Sequence, residues 1–541
     1  MVLAVARTFT HAVVLLEALA VFRGDPRVQI RFTCDDTSAF HRGTAELLRR
    51  HGIEPVAWPR ARELPTDLVL TTSENIDLTG FSVPVVVLPH GVGFQKYVPD
   101  TGSRGRRISG IPRPEFLDWS NLRMALAHPV HREQLRTVHS GLAARATVVG
   151  DLLHERIQAS RRLRWHYRSH LGLDDSQHLV ALSSTWGPSS LLGSRPDLPE
   201  RLLAHLPMDG YRVAAIVHPN TWFWHDAWQL RQILGRARDA GLILVPPEAG
   251  WGATLVAADC LLGDHGSVTL HGAALDLPVL LGGSGKETVP GTASASLAEV
   301  APRLDTDGDL RHQVTAASTG HPTGRFREAT ASAFTEGGAA LHQLTELLYE
   351  LLRLPQPVQP RTIRTLPAPA VEASSACALH VHTWWQDTDV LGIERFPAFP
   401  YPASDPPGGR LQHLAVVETA EMGTDDTLTH LASVIVCEEP QPLDRAGHWV
   451  RAALDRYPGS LLVTAAADRG YLAGVRGRGV VRCMPATTAH LDAITASALV
   501  YALLRGRRPL AGSFRLRVGE REQGCTLSPE NVVHTSPGPL D

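Results

Sequence analysis

At 541 residues the chain has room for about three or four domains. It is 43% hydrophobic and 20% charged, which excludes a disordered chain, a collagen-like repeat and a small disulfide-stapled scaffold. A formal net charge of -3 excludes a strong overall field toward nucleic acid or anionic lipid.

Lys96 and Lys286 are the only lysines among 52 basic residues. With the abundance of Ala, Gly and Pro, this skew reads as high-GC codon usage, so arginine content by itself is no phosphate-binding signal. Six scattered cysteines show no C-x-x-C pair and no metal-ligand spacing, consistent with a reduced, cytoplasmic protein that holds no metal. The apolar run Ala12–Leu16 is broken by Glu17 and lacks a basic flank and a cleavage site, so it does not read as a signal peptide. No run reaches the ~20 apolar residues of a membrane span.

In chain order, Val2–Ala6, Val28–Phe32, Pro55–Trp58, Leu68–Thr71 and Pro84–Leu88 read as strands. Helical patterns fall between them, at Thr10–Phe22 and after Ser38, where Phe40, Thr44, Leu47 and Leu48 form an apolar face closed by Gly52. Strands alternating with helices predict a parallel sheet covered on both faces. After a basic helical stretch at Arg161–Leu171 the alternation restarts, with strands at Leu179–Leu182, Arg212–Val217, Leu242–Val245, Asp259–Leu262 and Pro278–Leu281. Helices are expected at Asp226–Ala240 and, as one long amphipathic element, at Arg325–Leu354.

Five prolines between Pro355 and Pro369, one of them Pro360, predict a stiff linker open to protease between Leu354 and Ser375. Beyond it, strand-like runs at Leu414–Val417, Ser433–Cys437, Ser460–Val463 and Gly479–Cys483, with a helix at His490–Leu504, predict a small α/β domain. The expected organisation is therefore α/β throughout. It comprises two doubly wound, Rossmann-like domains at 1–155 and 156–354, a linker at 355–375, and a smaller α/β domain at 376–535 that serves acceptor choice or association with a protein partner.

Three segments could carry chemistry. Val85–Leu88 is a buried strand that delivers Pro89-His90-Gly91-Val92-Gly93 to its carboxyl end, where open parallel sheets bind ligands. Ala214–Val217 places His218 at the same kind of edge. Asp259–Leu262 ends in Gly263-Asp264-His265-Gly266-Ser267, a turn that opens a helix with Ser267 as its expected N-cap, a setting suited to phosphate. Against these stand plainer readings: a hydrogen-bonded strand-end histidine for His90, a turn-forming His-Pro for His218, and a capped helix start for Asp264 and Ser267.

Other candidates are weaker. Lys96 reads as an exposed lysine, with an anion contact as the alternative. Gly282–Glu287 looks like a P-loop, but Leu280 falls at the first glycine position and Glu287 replaces Ser/Thr. His380 and His382 share a strand face without a third metal ligand in view. Trp222, Trp224, His225 and Trp228 could stack on a sugar or base, or be buried at a helix start.

In this order the segments Pro89-His90-Gly91, Ser184-Thr185-Trp186-Gly187, His218-Pro219, Gly263–Ser267 and Leu277-Pro278-Val279 resemble the GT-B glycosyltransferase superfamily. Within it they are most like the CDP-glycerol glycerophosphotransferases of teichoic acid synthesis. The resemblance covers about residues 1–350, including the connector Arg168–Leu173. Gly187 stands where that family has Arg, His265 where it has Tyr, and His271 where it has an acidic residue, so the likeness speaks for the fold before the donor.

What the resemblance implies is a transferase needing no cofactor beyond its substrate. It would move a glycosyl or glycerophosphate-type group from a nucleotide-linked donor to a hydroxyl-bearing acceptor. His90 would be the base and His218 would stabilise the leaving phosphate. Gly91, Thr185, Asp264, His265, Gly266 and Ser267 would surround the nucleotide. A non-catalytic GT-B-like scaffold and a nucleotide-sugar epimerase are the alternatives.

Overall fold

The computed structural model describes residues 1–77, 79–99, 105–335, 337–359, 361–399, 407–418, 426–486 and 491–530. Pro360 of the linker, His490 at the expected helix start and residues 531–535 of the tail lie outside these.

The first sheet contains β1 (Val2–Ala6), β2 (Ile30–Cys34), β3 (Leu68–Thr71) and β4 (Val85–Val87). A separate hairpin, β5 (Tyr97–Pro99) and β6 (Arg106–Ile108), precedes its last two strands, β7 (Leu122–Leu126) and β8 (Ala146–Val148). Its order is β2-β1-β3-β4-β7-β8 and every pairing is parallel. Strands such as β1 are buried at every position, as expected for a sheet covered on both faces. Pro55–Trp58 forms no strand: only Val56 bridges to Thr33, and the proline at position 59 starts a helical turn, Trp58–Ala61.

The second sheet contains β9 (His178–Ser184), β10 (Tyr211–Val217), β11 (Ile243–Val245), β12 (Cys260–Gly263) and β13 (Val279–Leu281). Its order is β11-β10-β9-β12-β13, again all parallel. The mixed α/β organisation with parallel sheets matches the Rossmann-like expectation for both units.

Two expected helices are shorter than their periodicity suggested. Asp226–Ala240 divides at Leu234 into Ala227–Ile233 and Gly235–Asp239. Arg325–Leu354 divides into Arg327–Thr330 and Ala340–Leu351, because Gly337 and Gly338 take φ +108° and +65° between them. The helix Ala340–Leu351 returns to the first domain, where Leu344, Leu348 and Tyr349 join its core and the Tyr349 hydroxyl donates to Asp25 at 2.7 Å.

The proline-rich segment is extended, and it is fastened down rather than free. The Leu366 N–H donates to the Ser160 hydroxyl (2.8 Å), and its carbonyl accepts from the Tyr167 hydroxyl (2.7 Å). Glu372 exchanges two backbone hydrogen bonds with Leu244 (2.8 and 3.0 Å) and pairs with Arg231 and Arg238. Leu366, Ala368 and Val371 pack on the second domain's core.

The C-terminal region differs from the small α/β domain expected from its runs. It is a closed nine-stranded barrel built from β14 (Ala378–Trp385), β15 (Val390–Pro397), β16 (Leu411–Val417), β17 (Val434–Gln441), β18 (Leu462–Ala467), β19 (Tyr471–Val475), β20 (Gly479–Pro485), β21 (Gly512–Val518) and β22 (Arg521–Glu530). The order is β14-β15-β21-β22-β20-β19-β18-β17-β16, and β16 pairs back onto β14. The helix Ala493–Arg505 is buried from Ala493 to Leu503 and shares one core with inward residues of all nine strands, so the barrel wraps it. A second helix, Leu443–Arg456, covers the outside through Ala446, Val450 and Ala453. His380 and His382 alternate with the inward Leu379 and Val381 on β14, and His380 Nδ1 lies 3.3 Å from Gln412 Nε2.

The barrel docks on the second domain. Arg395 is held between Asp209 and Asp492, and the Met208 N–H donates to the Arg395 carbonyl at 2.9 Å.

Candidate functional site

Both parallel sheets direct the carboxyl ends of their strands toward a common cleft, and the loops there interlock. The loop after β4 lies against the turn after β12: the Val92 N–H donates to the Ser267 hydroxyl at 3.3 Å. Gly91 has φ +94°, and a Cβ there would lie 2.5 Å from Ser267 Oγ, so the close approach requires glycine. Farther along, the Tyr97 N–H donates to the Glu287 carbonyl (2.7 Å) and the Val289 N–H to that of Gln95 (3.0 Å).

The two strand-end histidines face this cleft with complementary ring nitrogens. His90 Nδ1 lies 2.9 Å from the Thr72 carbonyl, which can only accept, so Nδ1 carries the proton and Nε2 keeps a lone pair. His218 Nδ1 accepts from the Asn220 N–H at 3.0 Å, which leaves the proton of the neutral ring on Nε2. Burial, helped by the charges of Lys96 and His90, lowers His218 to about 3, so near neutral pH it is an uncharged N–H donor.

Around these rings the structure adds residues that the sequence did not single out. His11 packs against His90 with ring centroids 4.7 Å apart, and burial holds its pKa well below the usual range. Glu74 is buried; burial works to raise its carboxyl, but the charges of His90 and Arg107 and backbone N–H groups outweigh this and hold it low. Lys96 was expected at the surface. It is half-buried in the cleft, where burial depresses the ammonium against the opposing pull of Glu287, Asp264 and Glu74.

The turn after β12 is a braced structure. Asp264 is buried, and its Oδ2 accepts from the Thr185 N–H (2.8 Å), the Thr185 hydroxyl (2.8 Å) and the Leu191 N–H (3.0 Å), while Oδ1 takes the Gly266 N–H (3.2 Å). Asp264 and Thr185 thus hold the turn against the loop after β9. The N-cap of the helix Ser267–Ala274 is Gly266, and Ser267 is its first residue, which corrects the expected cap. The Ser267 hydroxyl instead accepts from the Val92 N–H of the first domain.

His265 Nε2 lies 3.5 Å from Glu287 Oε2, and its Nδ1 is buried without a partner. Thr269 and Ser294, whose hydroxyls are also unpartnered, border a small cavity of about 20 Å³ beside His265, room for one bridging water.

Two departures from the resembled family find physical reasons. Gly187 has φ +89°, and its carbonyl accepts from the Ser190 N–H and hydroxyl, so an arginine there would be strained. His271 does not reach the cleft: it is buried against Phe334 (4.7 Å between centroids) and Trp251 (5.3 Å), and burial lowers it to about 3.

An aromatic cluster marks one rim. Phe40 of the first domain meets Trp186 (4.9 Å) and Trp224 (6.1 Å) of the second, with Trp224 66% exposed. Phe223, next to Trp224, packs on Phe9 at 4.6 Å, so the cluster spans both domains. Trp222 is buried instead, and Trp228 lies on the surface.

No family model and no curated protein matches the chain. Solved structures do. The wall teichoic acid polymerase TagF aligns over 65% of this chain and 89% of its own, at 10% identity and a TM-score of 0.45. A glycosyltransferase from Rickettsia africae aligns over 65% and 98%, at 10% identity and 0.37. A Listeria monocytogenes protein described as a UDP-N-acetylglucosamine 2-epimerase aligns over 67% and 99%, at 11% identity and 0.37.

Proposed function

We propose that the protein is a GT-B-type transferase that moves a glycosyl or glycerophosphate-type group from a nucleotide-activated donor to an acceptor hydroxyl. The observation that carries this reading is the pair of opposed histidines, one with a free lone pair and the other with a neutral N–H, at facing strand ends. His90 Nε2 takes the proton from the acceptor hydroxyl as its oxygen attacks the donor. The bond to the nucleotide phosphate breaks, and the phosphate leaves with its negative charge. The His218 Nε2–H and the Lys96 ammonium stabilise that charge.

The donor's diphosphate rests at the start of the helix Ser267–Ala274, where backbone N–H groups of the first turn have no intrahelical acceptor. Gly91 and Gly266 let the backbone approach it, and Asp264, Thr185 and His265 position the turn. In the sheet order β10 and β12 lie on opposite sides of β9. The aromatic rim of Phe40, Trp186 and Trp224 suits the acceptor.

Calorimetric titration of the full chain with CDP-, UDP-, GDP- and TDP-linked donors tests the reading. Saturable binding of one class is expected, with His90→Ala abolishing transfer but not binding. Binding of none by a folded sample would favour a non-catalytic scaffold. Release of free nucleotide without any acceptor would favour an epimerase.

A further inference from the structure

Lys96, which the proposed function sets against the leaving phosphate, stands on a loop of the first domain and is held there by the second. Gln95, Lys96 and Tyr97 run antiparallel to Glu287, Thr288 and Val289 of the loop after β13, with Lys96 opposite Thr288. The Tyr97 N–H donates to the Glu287 carbonyl at 2.7 Å, and the Val289 N–H donates to the Gln95 carbonyl at 3.0 Å. Side chains alternate along such a segment, so Gln95 and Tyr97 point away from the side that Lys96 takes.

Gln95 carries the link beyond the backbone. The residue is buried, at 9% exposure, and its carboxamide crosses into the second domain. Oε1 accepts the Ser294 N–H at 3.0 Å, and Nε2 donates to the Gly93 carbonyl at 2.9 Å. The Ser294 N–H lies in the first turn of the helix Ala293–Val300, where it has no intrahelical acceptor. Thr292, the N-cap, serves the Ala295 N–H instead. A carboxamide accepts at one atom and donates at the other, and here both partners are backbone groups of fixed sense. A methionine of similar length would leave both unmet.

The backbone leading to Gln95 is strained. Gly93 has φ +66°, and Phe94, a bulky residue, has φ +52°. A non-glycine residue in that region persists only where its surroundings hold it, and such residues cluster at functional sites. Phe94 is buried against His131, with 5.5 Å between ring centroids, and the Gln95 amide ties down the residue that follows.

We infer that Gln95 is a positioning residue of the transfer reaction, plugged into the second domain so that the Lys96 ammonium stays at the donor phosphate. The phosphate half of this inference rests on the proposed function; the placing of Lys96 does not.

Lys96 and Lys286 are the only lysines, so the full chain carrying isotope-labelled lysine gives two side-chain signals by NMR, which Lys96→Arg assigns. Burial holds the Lys96 ammonium below the ordinary lysine value, against the pull of Glu287, Asp264 and Glu74, with His218 also facing it. Gln95→Met should release the ammonium to water, and its titration midpoint should rise toward the ordinary value. Gln95→Asn, too short to reach Ser294, gives the same reading should the methionine variant not fold. Each should also weaken whichever CDP-, UDP-, GDP- or TDP-linked donor the parent chain binds by about tenfold or more, the size of one hydrogen bond to a charged group. Lys96→Met should cost about as much, and adding Gln95→Met to it should cost nothing further. An unmoved Lys96 midpoint in a folded Gln95 variant would overturn the inference, because the plug would then be structural only. Fully additive losses of donor affinity would overturn it too. A parent chain that binds no donor would sink the proposed function and the reaction role with it, while the lysine titration still reads the placing of Lys96.

Discussion

Replacing Gly91 with alanine should loosen the contact on which the cleft depends. The backbone at Gly91 has φ +94°, where an L side chain is strained by about 1–2 kcal/mol. The new Cβ would lie 2.5 Å from Ser267 Oγ, so the hydroxyl must turn away and give up its bond from the Val92 N–H. That loss adds about 0.5–1.5 kcal/mol, for a total of about 1.5–3.5 kcal/mol. Urea unfolding of the full chain, followed by tryptophan fluorescence, reads it in the transition that carries the two parallel-sheet domains. Ser267→Ala in the same chain removes the clash but not the strained φ. The double variant should therefore fall short of the sum of the single changes, with a coupling of about 1 kcal/mol. A Gly91→Ala chain within about 0.5 kcal/mol of the parent, the range of ordinary surface changes, or fully additive effects, would refute the apposition of the two loops.

Stability should fall with acid in the window from pH 6.5 down to about 3, because burial holds His218, His271 and His413 near 3 in the folded chain. There the unfolded chain binds more protons than the folded one, so His413→Leu should flatten the slope by up to about 1.4 kcal/mol per pH unit, as read by urea midpoints from pH 4 to 7. An unchanged slope would mean His413 titrates normally. Arg395→Ala should destabilise the barrel's docking by about 3–5 kcal/mol, since it leaves the Asp209 and Asp492 carboxylates without their shared cation; calorimetric scans would show separated transitions. Trypsin should spare Arg364, whose carbonyl accepts from Arg156 at 3.0 Å, until Tyr167→Phe and Glu372→Ala loosen the strap, and rapid cleavage of the parent chain there would contradict the fastening.

The parallel sheets were legible because their strands are continuous apolar runs, as at Val2–Ala6 and Val213–Val217, bounded by helical patterns. Leu122–Leu126 and Ala146–Val148 were missed, the first interrupted by Arg123 and the second only three residues long. The barrel was misread for a different reason. Its strands alternate, as Ser513-Phe514-Arg515-Leu516-Arg517-Val518 does, and that period of two was the available signal of a half-buried antiparallel strand. The fully apolar helix at Ala493–Leu503 could equally have belonged to an α/β layer. At the site, strand-end position made His90 and His218 visible in the sequence. His11 and Glu74 were hidden because neither stands at a strand end beside a glycine turn, and only the sheet order brings them beside His90. Lys96 was taken for a surface residue because nothing in the sequence announces that β13's loop will close over it.

Under the proposed function a nucleotide diphosphate binds between the two parallel-sheet domains. A crystal structure of the full chain grown with an equimolar mixture of CDP-, UDP-, GDP- and TDP-linked donors tests it most directly. One nucleotide should occupy the cleft, its diphosphate on the Ser267 end of the helix Ser267–Ala274 and the transferable group facing His90 Nε2. A nucleotide found only in the barrel, or a cleft left without nucleotide at saturating donor, would contradict it.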